Sequence, residues 1–181
     1  MIVQPTLETP RLLLRPFVAP DAAAVQRLAG DRAVADTTLN IPHPYPDGAA
    51  DAFITQQQVA FDAGTAATFA VLERESGVLV GACGLRITPR FAHAELGYWI
   101  ARDQWGRGYA TEAARAVVGY AFGALGLHRV YARHLTRNPP SGRVMQQLGM
   151  TWEGRQREHV LKWDAFEDLE VYGILSGEFA P

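Results

Sequence analysis

The chain has 181 residues, of which 48% are hydrophobic and 20% charged, and its formal net charge is −2. This size suits one domain, spanning residues 1–181, whose core needs no disulfide support, and the slightly acidic charge argues against a nucleic-acid partner. No apolar run approaches the ~20 residues of a membrane span, the N-terminus lacks a signal-peptide pattern, and the single cysteine fits a reducing compartment, so we expect a cytoplasmic protein without a membrane partner.

The spacing of apolar and turn-forming residues predicts a mixed α/β chain. In chain order, the predicted elements are a strand over 11–17, a helix from about 21 to 30, a helix over 49–62, strands over 67–73, 78–88 and 92–100, a helix that follows Gly108 and ends at Gly126, a strand through Tyr131, a helix over 141–148, and strands around Glu158 and Val171. The segment 40–48 is too rich in proline for a helix or strand and is predicted to be a loop. Cys83 lies in an apolar run and is predicted to be a packed strand residue.

Two glycines separate a predicted strand from the helix that follows it. Gly106 and Gly108 lack Cβ atoms, so the backbone on either side of Arg107 can take positive φ and approach a ligand closely. In that helix apolar residues recur at three- and four-residue spacing: Ala110, Ala113, Ala114, Val117, Val118, Ala121, Phe122 and Leu125. Its first turn has unpaired N–H groups and the positive end of the helix dipole, which favours phosphate. We therefore predict a phosphorylated cofactor here; the alternative is a tight turn before a core helix.

Several common chemical motifs are absent. A Walker loop needs Lys-Ser/Thr after its second glycine, and a dinucleotide fingerprint needs a third glycine where this chain has Thr111. Ser141 has no glycine two residues before it, as the nucleophile elbow of a serine hydrolase requires. His43, His128 and His134 show no zinc-ligand spacing, so we expect no metal and assign them structural or surface roles.

Three sequence blocks together resemble the GNAT superfamily of N-acetyltransferases: HAELGYWI at 93–100, WGRGYATEAARAVVGYAFGALG at 105–126 and NPPSGRVMQQLGM at 138–150. Within the superfamily the chain is similar to the RimJ/RimL-type ribosomal-protein acetyltransferases, which acetylate protein N-termini. The segments 7–17 and 157–172 extend the resemblance to nearly the whole chain. It implies a mixed α/β GNAT fold: a twisted, mostly antiparallel central sheet of six to seven strands, flanked by about four helices and splayed in the middle at the acetyl-CoA site.

The resemblance also implies an activity and a cofactor site. The activity is direct transfer of an acetyl group from acetyl-CoA to a primary amine, in a protein N-terminus or a small molecule, within a ternary complex, and family analogy allows a homodimer. The cofactor-binding residues that it implies are Tyr98, Trp99, Ile100, Gly106, Arg107, Gly108, Tyr109, Ala110, Thr111, Asn138 and Ser141. The superfamily motif usually begins with Gln or Arg where this chain has Trp105, and the RimJ/RimL branch tolerates an aromatic residue there.

Acetyl transfer to an amine needs a base for the ammonium, donors for the thioester carbonyl and an acid for the leaving thiolate. The resemblance implies that the backbone of 98–100 polarises the carbonyl, that Asn138 binds the pantetheine amides and that Ser141 is the acid. A helix cap is the alternative role of Ser141. Strand alternation places Glu95 on the same face as Trp99, a few residues before the thioester. Glu95 is thus our first candidate for the base, and a surface charge is the alternative.

Other assignments stay open from the sequence. His93, Glu158 and His159 are reserve candidates for the base. The N-terminal acetyltransferases carry a catalytic Glu on the penultimate strand, where this chain has Val160, which leaves both the base and the amine acceptor undecided. Two other functional classes are a catalytically inactive acyl-CoA-binding sensor or partner protein and a nucleotide-phosphate-binding module. The loop 40–48 is either a solvated connector or, by the resemblance, a wall of the acceptor pocket.

Overall fold

The structure is a computed structural model that describes residues 3–180. Within this range the strands are β1 (Leu7–Glu8), β2 (Leu12–Pro16), β3 (Ala66–Glu73), β4 (Leu79–Thr88), β5 (His93–Ile100), β6 (Arg129–Leu135), β7 (Thr151–Lys162) and β8 (Ala165–Leu175). The α-helices are α1 (Ala22–Ala29), α2 (Arg32–Thr37), α3 (Ala49–Asp62), α4 (Tyr109–Gly123) and α5 (Pro139–Gln147). The strands form one sheet in the order β1-β2-β3-β4-β5-β6-β8-β7. The predicted mixed α/β fold is confirmed, but the described range has eight strands and five helices rather than the expected six to seven strands and about four helices.

Helices cover both faces of the sheet. On β3, Phe69 and Val71 belong to a core cluster that includes α4 and α5, whereas the intervening Ala70 and the following Leu72 belong to a second cluster with α1 and α3. Since successive strand residues point to opposite faces, α4 and α5 pack on one face and α1 and α3 on the other. Cys83 is fully buried in the first cluster, as predicted, and burial raises the pKa of its thiol.

The sheet is antiparallel except where β5 pairs with β6. This parallel pairing runs only from His93 opposite Arg129 to Leu96 opposite Ala132. Beyond Leu96, β5 stays paired with β4 up to Ile100 but has no partner in β6. The sheet is therefore split over the second half of β5, and the predicted splay is confirmed.

Two local predictions about the elements need correction, and one helix was missed. Helix α4 ends at Gly123 rather than at Gly126, which has a φ of +62° in the turn leading to β6. Helix α5 begins at Pro139 rather than at Ser141. Proline suits the first helical position, because its φ is already helical and an N–H group there would have no partner within the helix. The short helix α2 was not predicted, because its six residues are too few to show a helical period.

Candidate active site

The glycine loop lies directly at the N-terminus of α4. Gly106 and Gly108 have φ values of +79° and +81°, so both take the left-handed conformation that their lack of Cβ permits. Gly108 is the N-cap of α4 and offers no side chain to satisfy the first N–H groups of the helix. The N–H groups of Tyr109, Ala110 and Thr111 precede the first intrahelical bond and remain available to an anion.

The chain before β2 braces this loop. The Glu112 carboxylate accepts hydrogen bonds from Thr9 Oγ1 at 2.6 Å, from Arg11 N at 2.9 Å and from Arg11 Nε at 2.7 Å. Arg11 Nη1 also donates to Arg107 O at 2.9 Å, and its guanidinium lies over the Tyr109 ring. Burial alone would raise the pKa of Glu112, but the bonds from Thr9 and Arg11 outweigh it and lower this pKa. The sequence analysis missed this brace, although Thr9 and Arg11 lie in the opening block that resembles the family.

Trp105 occupies the position where the superfamily motif usually has Gln or Arg. Its indole Nε1 donates to Ile100 O at 2.7 Å, so the side chain ties the loop back to the end of β5. About 45% of the residue remains exposed. The aromatic residue thus holds the turn that leads from β5 to the glycine loop.

Ser141 and Tyr98 face each other across the split between β5 and β6. Ser141 lies in the first turn of α5, and its Oγ is 2.8 Å from Tyr98 Oη, while Tyr98 Oη is also 3.1 Å from Ser141 O. Because the helix begins at Pro139 with Asn138 as its N-cap, the alternative that Ser141 merely caps α5 is wrong. Asn138 Nδ2 donates to Thr37 O at 3.1 Å, which ties the start of α5 to the end of α2.

The remaining β5 residues alternate as predicted. Leu96, Tyr98 and Ile100 pack in or against the cluster on the α4 side, whereas Trp99 packs against the cluster on the α1 and α3 side. Glu95 shares the face of Trp99, which agrees with the predicted register.

Glu95 is the centre of an ion-pair cluster that joins three strands. Its Oε1 accepts from Arg133 Nε at 2.8 Å, its Oε2 accepts from Arg86 Nη2, and its side chain is only 11% exposed. Burial alone would raise the pKa of Glu95, but the ion pairs with Arg133 and Arg86 outweigh it and lower this pKa. The cluster lies at the last rungs of the β5–β6 pairing. Both carboxylate oxygens are occupied, which opposes the predicted role as base.

The reserve candidates for the base are separated by the fold. His159 Nε2 lies 3.4 Å from Arg133 Nη1, so this exposed imidazole borders the cluster around Glu95. His93 packs between Phe91 and Tyr131, with ring centroids 5.8 and 5.6 Å away, at the end of β5 remote from the glycine loop.

Strand β7 has a bulge directly before Val160. From the pair Gln156–Leu169 to the pair Val160–Glu167, β7 advances by four residues while β8 advances by two. Glu158 lies in this bulge with a φ of +48°, and its N–H donates to Asp168 Oδ1 at 2.8 Å. Glu158 therefore lies in the bulge two residues before Val160, the position where the resemblance expects a catalytic Glu.

A cleft of about 450 Å³ opens between α2, the segment after β5 and the turn between β7 and β8. It is lined by Asp31, Arg32, Ala33, Asp36, Arg102 and Trp163. The proline-rich segment forms a loop, as predicted, and its His43 ring lies 6.2 Å from the Trp163 ring between centroids. The loop therefore borders this cleft.

Comparison with known proteins decides the family. Residues 11–151 match the family model described as an acetyltransferase (GNAT) domain. The chain belongs to the GNAT family of N-acetyltransferases. It is 28% identical to an uncharacterized N-acetyltransferase, p20, of Bacillus licheniformis over 97% of this chain and 98% of that protein. It is 29% identical to the ribosomal-protein-serine acetyltransferase of Escherichia coli K12 over 48% of this chain and 49% of that one.

The fold agrees with that of a solved structure. RimJ of Mycobacterium smegmatis, in complex with CoA-disulfide, superposes with a TM-score of 0.85 at 23% identity, covering 96% of this chain and 87% of that one. The resemblance to the GNAT superfamily and its RimJ/RimL branch is confirmed, as is the enzyme class of acyltransferase. No helix among residues 3–180 is long and apolar enough to cross a membrane.

The glycine loop gives a first testable prediction. Gly108→Val forces a branched side chain into a φ of +81°, with its Cβ 3.4 Å from Arg11 Nη2, and narrows the approach to the first N–H groups of α4. Calorimetry should show that the affinity for acetyl-CoA, the cosubstrate implied by the family, falls by at least about tenfold, which corresponds to ~1.4 kcal/mol.

The matched control is Gly64→Val, because Gly64 has a similar φ of +68° in open space between α3 and β3. Both variants should lose about 1–2 kcal/mol of stability from the left-handed backbone. Equal acetyl-CoA affinity in Gly108→Val and the parent would contradict the proposed position of the phosphates.

The Glu95 cluster gives a second prediction, on stability against pH. Because the folded-state pKa of Glu95 lies below its unfolded value of about 4.3, its ion pairs stabilise the fold above that pH and lose this contribution as the pH falls through the folded pKa. Urea unfolding should show that Glu95→Gln costs about 1–3 kcal/mol at pH 7, with a smaller difference from the parent at pH 3.

Glu75→Gln serves as the control, since Glu75 is exposed in the turn after β3 and should change stability by less than about 0.5 kcal/mol. If Glu95 is instead the base, Glu95→Gln removes the rising limb of turnover against pH and costs about 10²–10⁴-fold in rate. If Glu95→Gln loses stability but keeps the rising limb of turnover against pH, Glu95 has a structural role only.

Proposed function

We propose that this protein transfers an acetyl group from acetyl-CoA directly to a primary amine in a ternary complex. The observation that carries the proposal is the split between β5 and β6, which has the glycine loop at its open end and the Ser141 hydroxyl beside it. A phosphate-binding helix end, an unpaired strand edge and a hydroxyl donor are three groups that a CoA thioester requires. The CoA complex of the RimJ neighbour supports the choice of CoA.

The cosubstrate fits the groups that line the split. Its phosphates would meet the N–H groups of Tyr109, Ala110 and Thr111. The space beside the loop is open, since no atom outside Gly106 and its two chain neighbours lies within 4 Å of the place where a Cβ on Gly106 would be. Its pantetheine arm would pair with the backbone edge of 98–100 that β6 leaves free. Buried backbone groups without a partner are costly, so this edge favours an extended ligand with amide groups.

The reaction makes a C–N bond and breaks a C–S bond, and one proton leaves the amine while one reaches the sulfur. In the proposal, backbone N–H groups of 98–100 donate to the thioester oxygen as it becomes negative, and Ser141 Oγ donates to the departing thiolate. Glu95 remains a candidate for the base, although Arg86 and Arg133 occupy both of its carboxylate oxygens. His159 remains a candidate beside Arg133.

The acceptor would enter through the cleft between α2, the segment after β5 and the turn between β7 and β8. This cleft borders the segment after β5, which leads from the split to the glycine loop. Its Trp163 offers an apolar wall, while charged side chains of both signs surround it. Such a lining suits a polar amine, either a peptide N-terminus or a small molecule, and makes the loop 40–48 part of the acceptor wall.

The experiment that tests the function measures free CoA released from acetyl-CoA against a panel of amines: peptides with different N-terminal residues, polyamines, amino acids and aminoglycosides. Release that depends on both amine and enzyme supports the proposal. Acetyl-CoA binding without release for any amine would favour an inactive acyl-CoA sensor. Thermal stabilisation by ATP or NAD but not by acetyl-CoA would favour a nucleotide-phosphate module.

A third prediction concerns Ser141. Loss of a proton donor to the thiolate is felt in the transition state, so Ser141→Ala should lower kcat by about 10²–10⁴-fold with little change in the KM for acetyl-CoA. Because Ser141 is not the cap of α5, thermal stability should change little. Steady-state kinetics with the best amine and a thermal melt measure both effects.

Ser76→Ala is the matched control, since Ser76 Oγ also makes a side-chain hydrogen bond, to Glu73 at 2.6 Å, in the exposed turn after β3. It should retain the kcat of the parent. Equal turnover in Ser141→Ala and Ser76→Ala would remove Ser141 from the chemistry.

A further inference from the structure

Tyr98 joins the two sides of the split through its side chain. It lies two residues beyond Leu96, the last residue of β5 that pairs with β6, and its hydroxyl reaches the first turn of α5. Its Oη is 2.8 Å from Ser141 Oγ and 3.1 Å from Ser141 O. Its ring packs against the core cluster on the α4 side, so the hydroxyl is held at a fixed place.

Two hydroxyl protons must be shared among three oxygens at this contact. In one arrangement Tyr98 donates to Ser141 O and Ser141 donates to Tyr98 Oη, so the Ser141 proton points away from the split. In the other, Tyr98 donates to Ser141 Oγ, which frees the Ser141 proton for a new acceptor. The two differ only by rotation of hydroxyl groups, which is a small rearrangement.

The second arrangement suits a proton donor. As Ser141 gives its proton to a thiolate, negative charge develops on Oγ, and a hydrogen bond to a charged oxygen is stronger than one to a neutral oxygen. Burial raises the pKa of Tyr98, and the bond to Ser141 only partly offsets this. The phenol therefore stays neutral and keeps its proton to donate throughout the neutral pH range. Among the described residues, Tyr98 is the side chain that bonds to Ser141 Oγ.

We propose that Tyr98 is a positioning residue that sets the direction of the Ser141 proton and stabilises Oγ while that proton moves to the CoA sulfur. The inference rests on the proposed acetyl transfer. At the step concerned, the Ser141 O–H bond breaks as the S–H bond forms, and the Tyr98 O–H bond stays intact. Ser141 regains a proton from solvent, which has received the one lost by the amine, so protons balance over the cycle.

The test is a double-mutant cycle with Tyr98→Phe, Ser141→Ala and both together, measuring kcat and the KM for acetyl-CoA with the best amine. Tyr98→Phe keeps the ring and removes only the hydroxyl. We expect it to lower kcat by about 10–100-fold, as for a lost hydrogen bond to a charged group, with the KM within about twofold of the parent. In the Ser141→Ala background it should change kcat by less than about twofold, because the group that it positions is gone.

Tyr172→Phe is the matched control. Tyr172 is a buried tyrosine on β8, its ring stacks on His134, and its hydroxyl lies 3.5 Å from Gln146 Nε2 on α5. It therefore also touches α5 without reaching Ser141, and its loss should leave kcat and KM unchanged. A drop in kcat equal to that of Tyr98→Phe would attribute both effects to general loosening of α5 and overturn the inference.

Two other outcomes would overturn it. If Tyr98→Phe lowers kcat by the same factor with and without Ser141, Tyr98 acts independently. If it raises the KM at constant kcat, Tyr98 only shapes the cofactor site. If Tyr98→Phe does not fold, 3-fluorotyrosine at position 98 keeps the hydroxyl but changes its acidity, and kcat should change only when Ser141 is present. Failure of the proposed function is distinct, because the parent would then release no CoA with any amine.

Discussion

The early end of the parallel pairing between β5 and β6 is the constraint on which the rest of the site depends. The strands separate after Leu96 and Ala132, and the crossover between them runs through α4, whose N-terminus lies where β5 ends. The separation leaves a strand edge without a partner, and an edge of this kind is stable only when something else supplies its hydrogen bonds. In the proposed function, an extended cosubstrate with amide groups meets that requirement, so the feature that weakens the sheet would also create the binding site.

Fixed charges hold the two ends of this split, while its centre is neutral. At the closed end the Glu95 carboxylate joins β4, β5 and β6 through Arg86 and Arg133, and at the open end Glu112 joins α4 to the chain before β2 through Arg11. In both carboxylates ion pairing outweighs burial and lowers the pKa, so both are charged at neutral pH. Between them lie hydroxyl groups, which can pass or orient a proton without a buried charge.

The segment between β6 and α5 ties the helix that carries Ser141 to α2 and to β8. Arg137 pairs with Asp36 of α2 at 3.0 Å and with Glu167 of β8 at 2.7 Å, and the next residue, Asn138, donates to the end of α2. The helix that begins here carries Ser141. A change in the position of α2 would therefore reach Ser141 through a short run of bonded residues. In the proposed function, this run would couple binding of the amine in the cleft to the chemistry.

Local sequence determined much of this protein, because a glycine pair before an amphipathic helix and the alternation along β5 depend on neighbouring residues alone. The glycine loop, the helix α3 and the face of Glu95 were predictable on that basis, and the splay was expected from the resemblance to the family. The partners of Glu95, Glu112 and Ser141 were not, because Arg133, Thr9 and Tyr98 lie tens of residues away in the chain and meet them only when the strands pair. Tertiary structure thus decided whether each polar residue is paired with an opposite charge, braces a loop or meets another hydroxyl group, since those properties depend on the distance to a partner that sequence spacing does not encode.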